Sequence, residues 1–341
     1  MNNCAVIFGG SGFIGCSFAD YLLKNKLFDK VYLYDLESLR EKPFPYRLEL
    51  LEKYGTLIEC VSGDVRDKII WKPAERVGFI ANFAAVHREP GHEDWEYFKT
   101  NLCGAETVTT WAEEVGCDNI IFTSSISPYG ISEEVKDETT LPVPVTAYGS
   151  SKLAAEKIHL VWQARDAARR KLVIARPGVV FGPGEGGNVT RLVKAVRKGY
   201  FFYMANRDTR KAGIYIKELC NAIWWVHQLQ LKLGNGVLLF NGSMNPGPSI
   251  SEYVAAICKV AGITRIVPRV PYLLLLSLAV CIDLFARPLR ISHPFSPVRV
   301  RKLVRSNNIM PGFLVNNGYR YLYTLESAMQ DWKQDCPREW G

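Results

Sequence analysis

The chain has 341 residues, of which 48% are hydrophobic and 22% are charged. This length predicts two domains or one large one, and the composition excludes a disordered chain, a collagen and a disulfide-stapled miniprotein. Lysine and arginine (42) outnumber aspartate and glutamate (34), giving a net charge of +8. An anionic partner is therefore expected, and nucleic acid, acidic lipid and diphosphate all fit.

A glycine-rich turn follows the first apolar run. Cys4–Phe8 predicts a buried strand, the glycine turn 9–15 comes next, and residues 16–25 have helical apolar spacing. Glycines here make the turn tight, let a pyrophosphate approach the backbone and let the helix pack closely, while free N–H groups hold the phosphates. The residues predicted to bind a dinucleotide at this turn are Gly9, Gly12, Phe13, Ile14 and Gly15.

Residues 30–34 predict a second strand, and Asp35 ends it, twenty residues past Gly15. A carboxylate at this position accepts hydrogen bonds from the adenosine ribose hydroxyls and repels a 2′-phosphate. Asp35 therefore indicates NAD rather than NADP as cofactor. The alternative is an aspartate that only forms a turn.

Further short apolar runs predict strands at 57–61, 78–83, 119–123 and 237–241. Strands separated by helical stretches predict an α/β fold with a doubly wound parallel Rossmann sheet, with ligands at the carboxyl ends of the strands. Past Pro183 the alternation stops, so we expect a smaller, discontinuous C-terminal substrate domain. The expected division is an NAD-binding domain (1–182, with 214–242 returning to it) and a substrate-binding domain (183–213 and 243–341).

Tyr148 and Lys152 are spaced to share one face of a helix. A nearby ammonium favours the phenolate, so we expect Lys152 to lower the pKa of Tyr148 and make it a general base. The alternative for this motif alone is a surface pair. The serine-rich stretch 123–130 follows the predicted strand at 119–123 and offers a hydroxyl for the reacting oxygen, although an ordinary loop has the same composition.

Several motifs occur in one order along the chain: the glycine turn, Asp35, Gly63-Asp64, 124–130, Tyr148 with Lys152, and 176–183. In this order they resemble the extended short-chain dehydrogenase/reductase superfamily, in its NAD-dependent sugar epimerase/dehydratase branch. The resemblance implies a catalytic triad of Ser125, Tyr148 and Lys152. It also implies further NAD contacts at Asp64, Val65, Ala84, Ala85, Asn101, Tyr148, Lys152 and Pro177, and substrate contacts at His87, Ser127, Asn188, Lys211, Arg299 and Arg301.

Within that branch, dehydratases carry Thr-Asp-Glu in the serine loop. Here the corresponding residues are Ser125-Ile126-Ser127, without a carboxylate, which argues against dehydration. The resemblance therefore implies an NAD-dependent 4-epimerase of a diphosphate-linked N-acetylhexosamine (GlcNAc/GalNAc) in surface polysaccharide (O-antigen) synthesis. A polyprenyl diphosphate is the favoured carrier. The alternatives are a UDP-sugar 4-epimerase, a sugar or sterol-type alcohol dehydrogenase and a non-catalytic NAD-binding scaffold.

The carrier bears on Lys211, which stands where nucleotide-sugar epimerases have an arginine that grips the diphosphate. A lysine is a point charge and lacks the bidentate geometry of a guanidinium.

The run Val270–Ile282 is thirteen residues long, too short for a confident membrane span. It is followed by an acid-free segment, 287–305, with six cations: Arg287, Arg290, Arg299, Arg301, Lys302 and Arg305. An apolar run beside cations predicts peripheral contact with an anionic membrane, at the inner face of the plasma membrane. The alternative is a buried core helix followed by a solvated basic loop.

Nucleic acid is not expected as a partner, because the sequence has no zinc knuckle, arginine-rich arm or aromatic-basic platform. The nine cysteines contain no Cys-x-x-Cys pair and no leader precedes the first strand, so we expect reduced thiols, no metal site and a cytoplasmic protein. The family resemblance further implies a homodimer, formed through helices near 100–115 and 150–168.

Overall fold

The apolar runs become strands in the computed structural model, which describes residues 3–40, 44–89, 91–130, 132–204, 206–286 and 305–341. In chain order the strands are β1 (Asn3–Phe8), β2 (Lys30–Asp35), β3 (Ile58–Ser62), β4 (Arg76–Asn82), β5 (Asn119–Thr123), β6 (Ser132–Lys136), β7 (Lys171–Pro177), β8 (Val179–Phe181), β9 (Tyr203–Met204), β10 (Gly213–Tyr215), β11 (Val237–Gly242), β12 (Arg269–Val270) and β13 (Asn307–Ile309).

The helices, in the same order, are α1 (Phe13–Lys24), α2 (Pro45–Glu52), α3 (Asp94–Glu114), α4 (Ala147–Ala164), α5 (Asn188–Lys198), α6 (Ile216–Leu233), α7 (Ile250–Ala261), α8 (Tyr272–Ala286), α9 (Gly312–Asn316) and α10 (Leu325–Asp335). Short 3₁₀ turns add to these at 55–57, 127–129 and 337–340.

Within the described ranges, seven strands form one parallel sheet in the order β3-β2-β1-β4-β5-β7-β11. The predicted α/β fold with a parallel sheet is confirmed. Strand β11 pairs with β7 from Val237 opposite Leu172 onward, so the run at 237–241 does return to this sheet. No strand was predicted at 171–177, which lies between β5 and β11 in the sheet, although its apolar run is like those of the strands that were predicted.

Helices cover both faces of the sheet, which makes it doubly wound. On one face α1 packs against α6, and on the other α3 packs against α4. Every residue from Cys4 to Phe8 is fully buried, as expected for a central parallel strand covered on both sides. The carboxyl ends of the strands therefore meet at a single edge, where the loops after β1, β4, β5 and β7 come together.

Three small parallel pairs lie outside the main sheet: β6 with β13, β8 with β10 and β9 with β12. Helix α7 packs against α5 and α10 in the C-terminal half. Helix α8 contains the apolar run, but Leu273 and Leu274 are 74% and 53% exposed while Leu275 is buried. The alternative in which the apolar run forms a fully buried core helix is therefore wrong.

No helix in the described part of the chain has the length and apolar character to cross a membrane.

Candidate active site

The glycine turn between β1 and α1 leaves no room for side chains. A Cβ on Gly9 would lie 2.7 Å from the backbone nitrogen of Ala84, and one on Gly15 would lie 2.5 Å from the carbonyl oxygen of Gly9. Gly9 also has a positive φ of 72°. The Gly12 N–H donates to the Gly9 carbonyl at 3.0 Å, and α1 begins at the next residue. This open backbone suits a phosphate-binding turn.

Asp35 ends β2 directly beside this turn. Its Oδ2 accepts a hydrogen bond from the Ser11 N–H at 3.0 Å, and its Oδ1 accepts one from the Leu36 N–H at 2.8 Å. The structure thus places the predicted ribose-binding carboxylate against the glycine turn. The hydroxyl of Ser11 is buried and has no hydrogen-bond partner among the described residues, so this turn still has a polar atom to offer a ligand.

Arg47 of α2 is a buried cation at the same turn, and its role there was not predicted. Its Nε and Nη2 donate to the Gly184 carbonyl at 3.1 and 2.8 Å, and its guanidinium lies 3.9 Å from the ring centroid of Phe44 and 5.8 Å from that of Phe13. Burial lowers the pKa of Arg47. Arg47 thereby links the N-terminus of α1 to the loop after β8.

The loop after β4 is fastened to the helices by Asn101 of α3. Its Oδ1 accepts from the Val86 N–H at 3.0 Å, and its Nδ2 donates to the Val86 carbonyl at 3.3 Å and to the Ser151 hydroxyl at 2.9 Å. Asn101 therefore joins the stretch containing Ala84 and Ala85 to helix α4.

Asp64 and Val65 follow β3, as predicted, but their side chains are engaged within the protein. The carboxylate of Asp64 forms a bidentate ion pair with Arg66, with Nε–Oδ1 at 3.0 Å and Nη2–Oδ2 at 2.5 Å. Hydrogen bonding from Arg66 lowers the pKa of Asp64. Val65 is buried and lies against Gly104 of α3, where a Cβ would be 3.0 Å from the valine Cγ2.

Ser125, Tyr148 and Lys152 come together at the carboxyl edge of the sheet. Ser125 lies two residues past β5, and Tyr148 and Lys152 are in the first two turns of α4, which begins after the N-cap Thr146. The Ser125 hydroxyl donates to the Ser127 hydroxyl and accepts from the Ser127 N–H, both at 3.1 Å, and its interaction with the Tyr148 phenol lowers the pKa of that phenol.

The electrostatics of Tyr148 differ from the prediction. Burial raises the pKa of Tyr148 to about 12, and the hydrogen bond from Ser125 only partly opposes this effect. The expected lowering by Lys152 is therefore wrong for the protein alone. The ammonium is itself 2% exposed, and burial lowers the pKa of Lys152 to about 7 while Glu156 opposes the shift. Desolvation is therefore the largest effect on the pKa of both groups.

Helix α4 is supported by a buried ion pair and by an aromatic neighbour, and neither contact was predicted. Glu156, one turn beyond Lys152, accepts from Arg176 Nε at 2.8 Å and Nη2 at 2.6 Å. The Tyr148 ring lies 5.9 Å from that of Tyr97 on α3. Pro177, which follows Arg176 at the end of β7, accepts the Ile126 N–H at 3.2 Å and so fixes the serine loop.

The predicted substrate residues are spread over three elements. Asn188 is exposed as the first residue of α5, and its Oδ1 accepts from Arg191 at 2.6 Å. Lys211 donates to the Arg305 carbonyl at 2.5 Å, and burial lowers its pKa to about 8, opposed by Glu133.

His87 is exposed in the loop after β4, and its pKa is lowered by partial desolvation and by the charges of Arg88 and Lys152. Arg299 and Arg301 lie outside the described residues.

NAD fits these residues. The side-chain-free turn at Gly9 and Gly15, the buried unpartnered hydroxyl of Ser11 and the carboxylate of Asp35 together offer open backbone, a polar atom and a ribose acceptor at one edge. When NAD is bound there, it supplies a two-electron acceptor and donor for the substrate.

The sheet order and this arrangement of side chains define an NAD-dependent enzyme of the short-chain dehydrogenase/reductase type. The chain belongs to the NAD dependent epimerase/dehydratase family, whose model matches residues 5–237.

Two curated relatives and one solved structure give the comparison more detail. The chain is 27% identical over 336 residues to N-acetyl-alpha-D-glucosaminyl-diphospho-ditrans,octacis-undecaprenol 4-epimerase of Escherichia coli O157:H7, covering 96% of this chain and 94% of that one. It is 30% identical over 284 residues to a UDP-glucose 4-epimerase of Lacticaseibacillus casei, covering 75% and 81%. The fold matches the UDP-Glc/GlcNAc 4-epimerase of Campylobacter jejuni with a TM-score of 0.71 at 20% identity, covering 98% and 100%.

Proposed function

We propose that the protein is a sugar 4-epimerase whose substrate is an N-acetylhexosamine linked through a diphosphate to a polyprenyl carrier. The chemistry follows from Ser125, Tyr148 and Lys152 on one edge of the sheet and from the serine loop, which carries no acid between Ser125 and Ser127. The carrier follows from helix α8 and from the full-length similarity to a relative named for an undecaprenol-linked substrate.

In this proposal Tyr148 removes the proton from the sugar 4-hydroxyl, and Ser125 hydrogen-bonds the same oxygen. The pKa of the phenol is high in the protein alone, so the positive charges of Lys152 and of the bound cofactor must favour the phenolate during turnover. Oxidation at C4 gives a 4-keto sugar, which turns about its diphosphate linkage. The hydride that C4 gives up would be held by NAD and would return to the opposite face of C4, which inverts the configuration, while Tyr148 returns the proton to the oxygen.

The exposed apolar helix α8 is the observation that carries the lipid-linked substrate. Leu273, Leu274, Val280 and Ile282 are 74%, 53%, 42% and 38% exposed, and Leu275 anchors the helix against Phe202, Met204, Val270 and Tyr272. A nucleotide-linked sugar gives no reason to keep four aliphatic side chains in water. Fully burying an aliphatic side chain contributes about 1.5–3 kcal/mol, which a membrane surface would supply.

In this proposal the exposed aliphatic side chains of α8 bind to the interfacial region of an anionic bilayer. Fifteen residues of α-helix are about 22 Å long, less than the ~30 Å hydrocarbon core, so α8 would lie in the interface. The six cations at 287–305 follow directly in the sequence, and each contributes roughly 1 kcal/mol near an anionic surface. The protein would therefore work at the inner face of the plasma membrane, where lipid-linked sugars are held.

The substrate test offers UDP-N-acetylglucosamine and its polyprenyl-diphosphate counterpart to the same preparation, and reads the product configuration by mass spectrometry and lectin binding. We expect epimerisation of the lipid-linked sugar with a higher kcat/KM. Preference for the UDP-sugar would instead favour the UDP-sugar 4-epimerase alternative, which the Lacticaseibacillus relative supports.

The membrane test is flotation with vesicles. We expect binding to anionic but not zwitterionic vesicles at low salt, and loss of binding in the double variant Leu273→Ser with Leu274→Ser. The matched control is the double variant Ile70→Ser with Leu322→Ser, because these side chains are 86% and 64% exposed and lie outside α8. Equal flotation of both variants would contradict docking by α8.

A homodimer is also proposed. Helices α3 and α4 pack together and expose Trp95, Phe98 and Val161, which are 61%, 38% and 54% accessible. A second copy of the same helix pair would cover these side chains. Light scattering should give twice the chain mass, and Trp95→Glu should give the monomer; a monomeric wild type would refute this assignment.

A further inference from the structure

The ammonium of Lys152 lies against the face of an aromatic ring. Its Nζ is 4.3 Å from the ring centroid of Phe122, the penultimate residue of β5, and both side chains are 2% exposed. Glu156, the acidic residue on the next turn of α4, is engaged by Arg176. A desolvated ammonium tends to lose its proton.

The same ring is held in place by His159, which is two turns beyond Lys152 on α4. The two rings stack with centroids 4.1 Å apart and planes at 20°. His159 Nδ1 lies 2.8 Å from the Ala155 carbonyl, which can only accept, so Nδ1 carries the proton. Its Nε2 lies 3.2 Å from the Asn82 amide nitrogen and accepts from it.

His159 is therefore neutral, with both nitrogens satisfied. Burial agrees with this assignment, because it lowers the pKa of His159 to about 4. An imidazolium at this place would put a second positive charge near Lys152. The neutral tautomer instead stacks on Phe122 without competing for the negative face of its ring.

We propose that Phe122 is a positioning residue, whose ring face keeps the Lys152 ammonium charged and in place beside Tyr148 while His159 fixes the ring. The inference rests on the proposed function, because it takes Lys152 as the charged partner of the tyrosine. A cation over an aromatic face is attracted by the ring quadrupole, most strongly where water is excluded. A leucine would fill most of the same space but would give no such attraction.

Other groups also act on Lys152 and must be kept constant. On its own helix these are the ion-paired Glu156 and the neutral His159, and from the loop after β4 it is His87. The variant Phe122→Leu replaces none of these residues, although it removes the ring on which His159 stacks. A matched control is Phe79→Leu, because Phe79 is equally buried but packs in the core on the opposite face of the sheet.

The test compares the pH dependence of kcat/KM in the two variants with that of the wild type. Without the ring the pKa of Lys152 falls, so the alkaline limb of the Phe122→Leu profile should move to lower pH by about one unit. Phe79→Leu should lose stability without moving this limb. Phe122→Met serves the same purpose if the leucine variant does not fold.

A second measurement does not depend on turnover. Nuclear magnetic resonance of lysine labelled with ¹³C and ¹⁵N would follow the Lys152 side chain against pH in the free protein, and its titration midpoint should fall in Phe122→Leu only. Equal midpoints in all three proteins would overturn the role of Phe122. A wild type whose Lys152 titrates as expected but which epimerises no sugar diphosphate would instead refute the proposed function.

Discussion

The ion pair between Glu156 and Arg176 offers a sharp test of how the catalytic helix is held. The two side chains are 2% and 5% exposed, and the guanidinium also lies 4.8 Å from the ring centroid of Tyr129. Replacing Glu156 with Gln leaves a buried, unpaired guanidinium. Breaking a buried pair from one side costs about 3–5 kcal/mol, whereas replacing both members with apolar residues is often close to neutral.

We therefore expect Glu156→Gln to lower the free energy of unfolding by about 3–5 kcal/mol, measured by urea denaturation followed by circular dichroism. The double variant Glu156→Met with Arg176→Met should recover most of this loss. The Gln variant should also lower the pKa of Lys152, because Glu156 opposes the effect of burial. A Gln variant as stable as the wild type, or a double variant less stable than the Gln variant, would refute this reasoning.

Three further predictions address the site. Tyr148→Phe should abolish turnover but leave NAD binding within a few-fold of wild type by calorimetry, and near-normal turnover would remove Tyr148 from the mechanism. Burial lowers the pKa of Lys152 to about 7 in the folded protein, against 10.5 for a solvated lysine, so the unfolded chain binds more protons between these values. The free energy of unfolding should therefore rise from pH 7 to 9, and the thermal midpoint of Lys152→Met should rise less over this range. Wild type and variant midpoints that rise equally would contradict the buried ammonium. Asp35→Ala should weaken NAD binding about tenfold and improve binding of NADP relative to NAD, and unchanged affinities would exclude the ribose contact.

Local patterns explain why the glycine turn and the placement of Tyr148 and Lys152 on one helix could be predicted. The geometry of each motif depends on only a few consecutive residues. One motif is a set of glycines at fixed spacing after an apolar run, and the other is a tyrosine four residues before a lysine. Arg47 could not be found in this way, because its carbonyl partner, Gly184, is 137 positions away. The stacking of His159 on Phe122 likewise depends on α4 crossing β5, which no single segment encodes.

Burial accounts for the predictions that were wrong or missing. The pKa of Tyr148 depends on how much water reaches the phenol, and a sequence gives charges but not solvation. The same limit applies to helix α8, because a thirteen-residue apolar run is compatible with a buried core helix or an exposed surface helix until the exposure of its side chains is known.

The hydrogen bonds of Asn101 have a consequence for how this enzyme can change over evolution. One amide side chain grips both backbone groups of Val86 and the hydroxyl of Ser151, so a cofactor-side loop and the catalytic helix share a single fastening point. A substitution there would disturb cofactor affinity and turnover together. Mutations that tune one of these properties without the other must therefore arise elsewhere in the molecule.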